Sequence, residues 1–365
     1  MILAAPDKFR GTVTARQASE AMARGVVSRG GSADQLPLSD GGEGFIDVLD
    51  VLGGTRERVQ VSGPLGVPTG ADYLRVGSMA VLEMAHPSGL VLAGGAEGND
   101  PVAATTRGTG ELMVAAARSL GRHPGAPVNH APAAAPSHDR QPTGTVVIGL
   151  GGSATTDGGL GALRRIEELG GVGGVELVGA CDVTVGFIQA AKQFGPQKGA
   201  NEKQVVELEE RLRRLAEQYE AEYGVDVRAV EGAGAAGGLG GAIVVLGGRL
   251  RPGYAVVTRL VGFRDALERS SLVVTGEGGL DSSSFSGKVV GSVVRDAAEV
   301  GVPSLVVAGR IAPEAVGMAE RLGSEVVSLS ERFGEVAAMT DTSRCIEIAV
   351  AEHLDAMGSR ITGDE

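Results

Sequence analysis

The chain has little cysteine, no long apolar run and a shortage of positive charge, and each scarcity removes a class of protein. Cys181 and Cys345 are its only cysteines. Two thiols so far apart in sequence supply neither a disulfide framework nor a zinc ligand set, and the expectation is a pair of buried free thiols. No segment approaches the roughly 18 uninterrupted apolar residues that span a bilayer, and the opening MILAAPD lacks a basic leader with a sufficient apolar stretch. A cytoplasmic protein without a membrane partner is expected. Lysine and arginine number 33 against 45 aspartates and glutamates, a net charge of -12. Such a surface argues against nucleic acid and anionic membranes, so a charged small-molecule substrate needs a focused local pocket.

What is abundant is glycine, 59 residues of 365, within a chain that is 43% hydrophobic and long enough for about two domains. Residues 147–161 read VIGLGGSATTDGGLG, an apolar run followed by glycines, hydroxyls, an acid and a helix-like stretch. The pattern predicts a strand-to-helix phosphate cradle. Gly151 and Gly152 would let the backbone approach an anion, Ser153, Thr155 and Thr156 would donate hydroxyls, and Asp157 would hold Mg²⁺. Glycine turns also serve as plain structural punctuation. The same grammar recurs, however. Asp7, Lys8 and Arg10 lie in APDKFRG, Asp40 and Glu43 in SDGGEG, Lys198 in FGPQKGA, and Glu277, Asp281 and Lys288 in TGEGGLDSSSFSGK.

Short β-branched runs alternate with helical patterns, which predicts an α/β fold with a largely parallel sheet. Residues 1–5 read as the first strand, and Thr14 with Gln17 as a capping box for a helix to about Arg29. Strands are expected over 272–275, 304–308 and 325–329, with helices from about Val289 and Pro313 and a closing helix over 342–357. In the middle, 58–61, 71–76 and 79–84 are closely spaced strands, the last two joined like a hairpin, so a second domain is expected inside the first. Residues 121–144, rich in Pro and Ala and holding His123, His130 and His138, read as an exposed mobile loop with solvated histidines. Residues 202–223 form a charged amphipathic helix with Val205, Val206, Leu208, Leu212, Leu215 and Tyr219 as its packing stripe.

APDKFRG, SDGGEG, EMAHPSGL, DPVAATTRGTGEL, GLGGSATTDGG, ACDVT, FGPQKGA, GAGAAGGLG and TGEGGLD, in this order, resemble the bacterial glycerate kinase family from about residue 3 to residue 310. The resemblance implies ATP-dependent, Mg²⁺-assisted phosphorylation of a hydroxyl of D-glycerate, leaning towards 2-phosphoglycerate. It also implies a Rossmann-like parallel-sheet domain made from both chain ends (1–60 and 266–365) around an inserted mixed α/β domain (61–265). A homodimer is allowed for.

Phosphoryl transfer requires phosphate positioning, Mg²⁺ and cationic neutralisation, and a glycerate carboxylate requires a cationic or amide seat. Lys8, Arg10, Lys198 and Lys288 are candidates for neutralising phosphate or carboxylate, with Lys8 counted among the catalytic groups. Asp40, Asp157, Asp182 and Asp281 are candidates for coordinating metal or taking the hydroxyl proton. Asp40 and Asp182 are preferred as catalytic carboxylates, the latter because ACDVT follows an apolar run and belongs at a strand's C-terminal end; Asp157 and Asp281 are preferred for metal. Asp7, Glu43 and Glu277 are expected to bind substrate or phosphate, and any of the acids could instead cap a turn. The chain departs from the family pattern at Phe45, Thr156, Val185 and Gly279, and it is abbreviated between Gly161 and Cys181. Two rivals follow from these departures: a ligand-binding descendant without catalysis, and a kinase of another small hydroxy acid. A dinucleotide oxidoreductase fits poorly, because PDKFRG rather than G-x-G-x-x-G follows the first strand.

Overall fold

The computed structural model describes residues 1–121 and 142–362; the loop reading for 121–144, with its histidines, falls almost wholly outside them. In chain order the strands among the described residues are β1 (Ile2–Ala4), β2 (Ala33–Gln35), β3 (Thr55–Ser62), β4 (Pro68–Val76), β5 (Met79–Glu83), β6 (Gly144–Gly149), β7 (Val175–Ala180), β8 (Arg249–Arg251), β9 (Leu272–Leu280), β10 (Ser304–Ile311) and β11 (Ser324–Ser328). They form two sheets, and the chain divides into two compact units. The first holds residues 1–40, 47–49 and 254–365; the second holds 41–46 and 50–253. The α/β fold, with a parallel sheet from both chain ends and an inserted mixed sheet, is as expected.

In the first unit the order is β11-β10-β9-β1-β2, with every pair parallel. The helix Ala15–Val27 starts at the Thr14–Gln17 capping box and buries Ala18, Ala21, Met22 and Val26 against Ile346, Ala349 and Val350 of the helix Thr342–Thr362. Gly25 sets that approach, since a Cβ there would lie 2.5 Å from the Glu347 carbonyl oxygen. The sequence proceeds from β1 to β2 on one side and later from β9 outwards on the other. The switch point therefore lies between β1 and β9, and open α/β sheets bind ligands beyond the carboxyl ends of the strands there.

The second unit carries the sheet β3-β4-β5-β6-β7-β8, antiparallel from β3 to β5 and parallel from β5 to β8. Leu82, Leu112, Met113, Ile148, Ile166 and Ile243 fill its main core. The helix Glu202–Tyr223, capped by Asn201 and Gln204, buries Leu208, Leu212, Leu215 and Tyr219 in a second cluster. Val206 departs from the expected stripe and is exposed. No helix among the described residues is long and apolar enough to cross a membrane. Cys345 is buried and Cys181 only half-buried, and burial raises both thiols, Cys181 to about 11.

Candidate active site

Three backbone segments extend the pairing at the switch point of the first unit and set its acids side by side. Past β1, the Ala5 amide donates to Val274 O and the Asp7 amide to Gly276 O (2.8 and 2.9 Å); past β2, the Leu36 and Leu38 amides donate to Ala4 O and Pro6 O (2.9 Å each). Asp7 and Asp40 thus follow β1 and β2, and Glu277 lies within β9 in register with Ala308 of β10. Burial, and then the charge of Asp40, push the Asp7 carboxyl up to about 7 against the pull of Lys8, whose amide donates to Asp7 Oδ1 at 2.7 Å. Glu277 is also raised, chiefly by burial, with Ser284 and Lys288 opposing. Its buried Oε1 has no hydrogen-bond partner. Asp7 and Glu277 therefore hold their protons more tightly than ordinary carboxyls, chiefly because they are buried.

Lys288 precedes the helix Val289–Val300 and donates from Nζ to Ser283 Oγ at 2.7 Å. Asp281, expected at a metal, is instead an N-cap. Its Oδ1 accepts from the Ser283 and Ser284 amides, and these bonds, led by the Ser283 hydroxyl, hold its carboxyl below the usual range. Arg10 is exposed at the rim of a cavity on the same sheet edge.

In the second unit the region 147–161 corrects the cradle reading. β6 ends at Gly149, and the next helix, Leu160–Glu168, begins eleven residues later. Its first amides already have acceptors. Gly159 N and Gly161 N donate to the two carboxylate oxygens of Asp157 (3.0 and 3.2 Å), and Ala162 N donates to Thr106 Oγ1 (2.9 Å). Asp157 Oδ2 also accepts from the Thr106 amide and hydroxyl (2.8 Å each) and from Thr105 Oγ1 (3.3 Å). At 1% exposed and fully hydrogen-bonded, this carboxylate organises the loop and does not face a metal.

Ser153, Thr155 and Thr156 are buried with it, and Gly152 alone of that stretch is exposed. GAGAAGGLG packs on the same loop. Ala236, Gly237 and Gly238 are all left-handed, and a Cβ on Gly237 would lie 1.9 Å from Thr155 O. Gly151 serves a similar end, with its amide on Gly41 O and a Cβ position 2.4 Å from Gly42 Cα.

Lys198, expected on phosphate, is 3% exposed and donates from Nζ to Thr155 O at 2.7 Å. Burial lowers it to about 7 against the attraction of Asp157. Between that value and the ordinary 10.5 the unfolded chain holds a proton that the folded chain lacks. The residue therefore opposes folding fully below pH 7, and the opposition disappears as pH rises to about 10.5. Wild-type stability is expected to climb through this window by up to about 1.4 kcal/mol per pH unit on account of Lys198. Urea midpoints of wild type and Lys198→Met from pH 7 to 10 check this: the difference between the two curves should change with that slope. Parallel curves would show an ordinary lysine.

Asp182 follows β7, as expected of a residue at a strand's C-terminal end, and its Oδ1 accepts the Gly253 amide at 2.8 Å. Glu43 is exposed in the Gly41–Gly44 turn. Sequence reasoning missed the residue that fixes this turn. Glu83, 3% exposed at the end of β5, accepts from the Gly44 and Ile46 amides (3.1 and 2.8 Å). The signal was an acid closing an apolar strand in VLEMAHP.

Among the described residues no three His, Cys, Asp or Glu side chains are arranged to hold a bare metal ion. Mg²⁺ that arrives on nucleotide phosphates needs only one or two carboxylates. The unpartnered Glu277 Oε1, with Asp40 and Asp7 nearby, fits that requirement.

A doubly wound sheet with acids and lysines at its switch point, interrupted by a mixed α/β unit, defines the class of two-unit α/β protein. The profile of the glycerate kinase family matches residues 2–170 and 167–357. The chain belongs to that family. It is 34% identical over 350 residues to glycerate 2-kinase of Escherichia coli, with 86% of each chain covered, and 34% identical over 347 residues to glycerate kinase of Halalkalibacterium halodurans, with 85% of each covered. Its structure is similar to the crystal structure of a protein assigned as a glycerate kinase 2 from Salmonella typhimurium LT2. There the TM-score is 0.74 and the identity 26%, with 99% of both chains covered.

Proposed function

We propose that this chain transfers the γ-phosphoryl group of ATP to a hydroxyl of D-glycerate, giving 2-phosphoglycerate and ADP with Mg²⁺ as the metal. The observation that carries the reading is the grouping of Asp7, Asp40 and Glu277, with Lys8 and Lys288, at the switch point of the parallel sheet. Phosphoryl transfer asks a protein for positioning and charge compensation rather than covalent chemistry. Lys8 and Lys288 offer positive charge to the transferring group. The carboxylates have two tasks, holding the nucleotide's metal and taking the proton of the attacking hydroxyl. Mg²⁺, when bound, neutralises charge on the phosphates. The names of the relatives favour glycerate, and that of the Escherichia coli relative favours the 2-position.

An ADP-release assay with D-glycerate and Mg²⁺-ATP tests this, and the proposal expects ADP to appear only when both are present. Nucleotide binding without turnover at ample enzyme would point to a binding protein. Turnover with a different hydroxy acid in a substrate panel would reassign the acceptor.

A further inference from the structure

The first unit holds a cavity of about 200 Å³ whose walls include Arg10, Arg310, Gly278, Gly309, Glu335 and Met339. It opens at the carboxyl ends of β9 and β10, one residue along from Glu277. Two glycines contribute backbone to its wall. Gly278 and Gly309 are each too close to a neighbour to carry a side chain without shifting it, a Cβ on Gly309 lying 2.4 Å from Gly278 O and one on Gly278 lying 3.0 Å from Arg10 N. Arg310 stands in register with Gly279, where an added Cβ would meet nothing within 4 Å.

Arg310 reaches Glu335 at 3.2 Å, but the two side chains are 64% and 73% exposed. An ion pair so wetted contributes little and is readily exchanged for a better anion. Glu335 opens the short helix Glu335–Thr340, which also exposes Met339 (54%) and Val336 (77%) to solvent. Two guanidinium groups, two glycines that keep part of the wall free of side chains and an apolar rim are the parts needed for the phosphates and base of a nucleotide.

We infer that this cavity is the nucleotide subsite, with Arg10 and Arg310 holding the diphosphate of ADP or ATP, Met339 lying under the base, and Glu335 surrendering Arg310 when phosphate enters. The inference rests on the kinase reading and adds where the nucleotide sits. Glu277 directly precedes Gly278 of the cavity wall, so a terminal phosphate held here would lie within reach of the acid cluster.

Calorimetric titration of the full chain with ADP, pyrophosphate and adenosine in the presence of Mg²⁺ tests it. Arg310→Ala is expected to weaken ADP and pyrophosphate by about tenfold to a hundredfold, the worth of a hydrogen bond to a charged group, and to leave adenosine unchanged. Glu335→Gln should tighten pyrophosphate severalfold, and Met339→Glu should weaken ADP but not pyrophosphate. All three positions are exposed, so melting temperatures should stay near wild type. Arg310→Ala binding pyrophosphate as wild type does would overturn the assignment, as would a rise in KM for D-glycerate alone. The two readings fail separately. A wild type that binds pyrophosphate through Arg310 but releases no ADP with D-glycerate or any other hydroxy acid of the panel ends the kinase reading and keeps the subsite. Turnover with an unaltered KM for ATP in Arg310→Ala does the reverse.

Discussion

Asp7→Asn is expected to lower turnover by about 10²- to 10⁴-fold, the range for removing a group that moves a proton or stabilises transition-state charge, while the protein stays folded. Asparagine has the shape of the carboxyl, and its side-chain oxygen can still accept the Lys8 amide. Asp7 is repelled by Asp40 and Glu277, so removing its charge relieves a native-state conflict. Steady-state kinetics beside a thermal melt separate the two effects. A variant that retains activity would show that the acid cluster is not the reacting centre. A variant that loses activity only because it no longer folds would show a structural residue.

Asp157→Ala should do the opposite, unfolding the second unit more readily for a reason unrelated to catalysis. Five donors converge on this carboxylate: Thr105 Oγ1, the Thr106 amide and hydroxyl, Gly159 N and Gly161 N. Buried donors left without an acceptor cost about 1–3 kcal/mol each, partly recovered by relaxation and water, so a loss of about 3–5 kcal/mol is expected. Asp157→Asn, which keeps one acceptor oxygen, should lose less. Chemical denaturation measures both. Stability close to wild type with activity abolished would restore the residue to a metal-binding role.

The contrast between these aspartates shows where the sequence was legible. Alternating apolar runs and caps located β9, β10, β11 and the helix after Thr14, because backbone periodicity and capping are local properties. Composition around glycine marked unusual backbone at 147–161 and 233–241 but not its cause. The glycines there admit one protein segment to another, Gly237 against Thr155 being the tightest case. A phosphate and a neighbouring carbonyl make the same local demand for a missing Cβ, and only the fold distinguishes them. Lys198 carried the same ambiguity, since a lysine in a glycine turn looks exposed until a partner such as Thr155 O is found for it. Glu83 went unnoticed because its task, holding two amides some 40 residues upstream, leaves no pattern in its own neighbourhood. Arg310 follows a single glycine, Gly309, and its place emerged only from the cavity it lines and the register of β10 on β9.

The most direct test follows the phosphorus itself. Phosphorus NMR of D-glycerate with Mg²⁺-ATP should show ADP and the 2-phosphate ester accumulating together with wild type, and neither with folded Asp7→Asn. No ester at ample wild-type enzyme, or equal rates from the two proteins, would contradict the account.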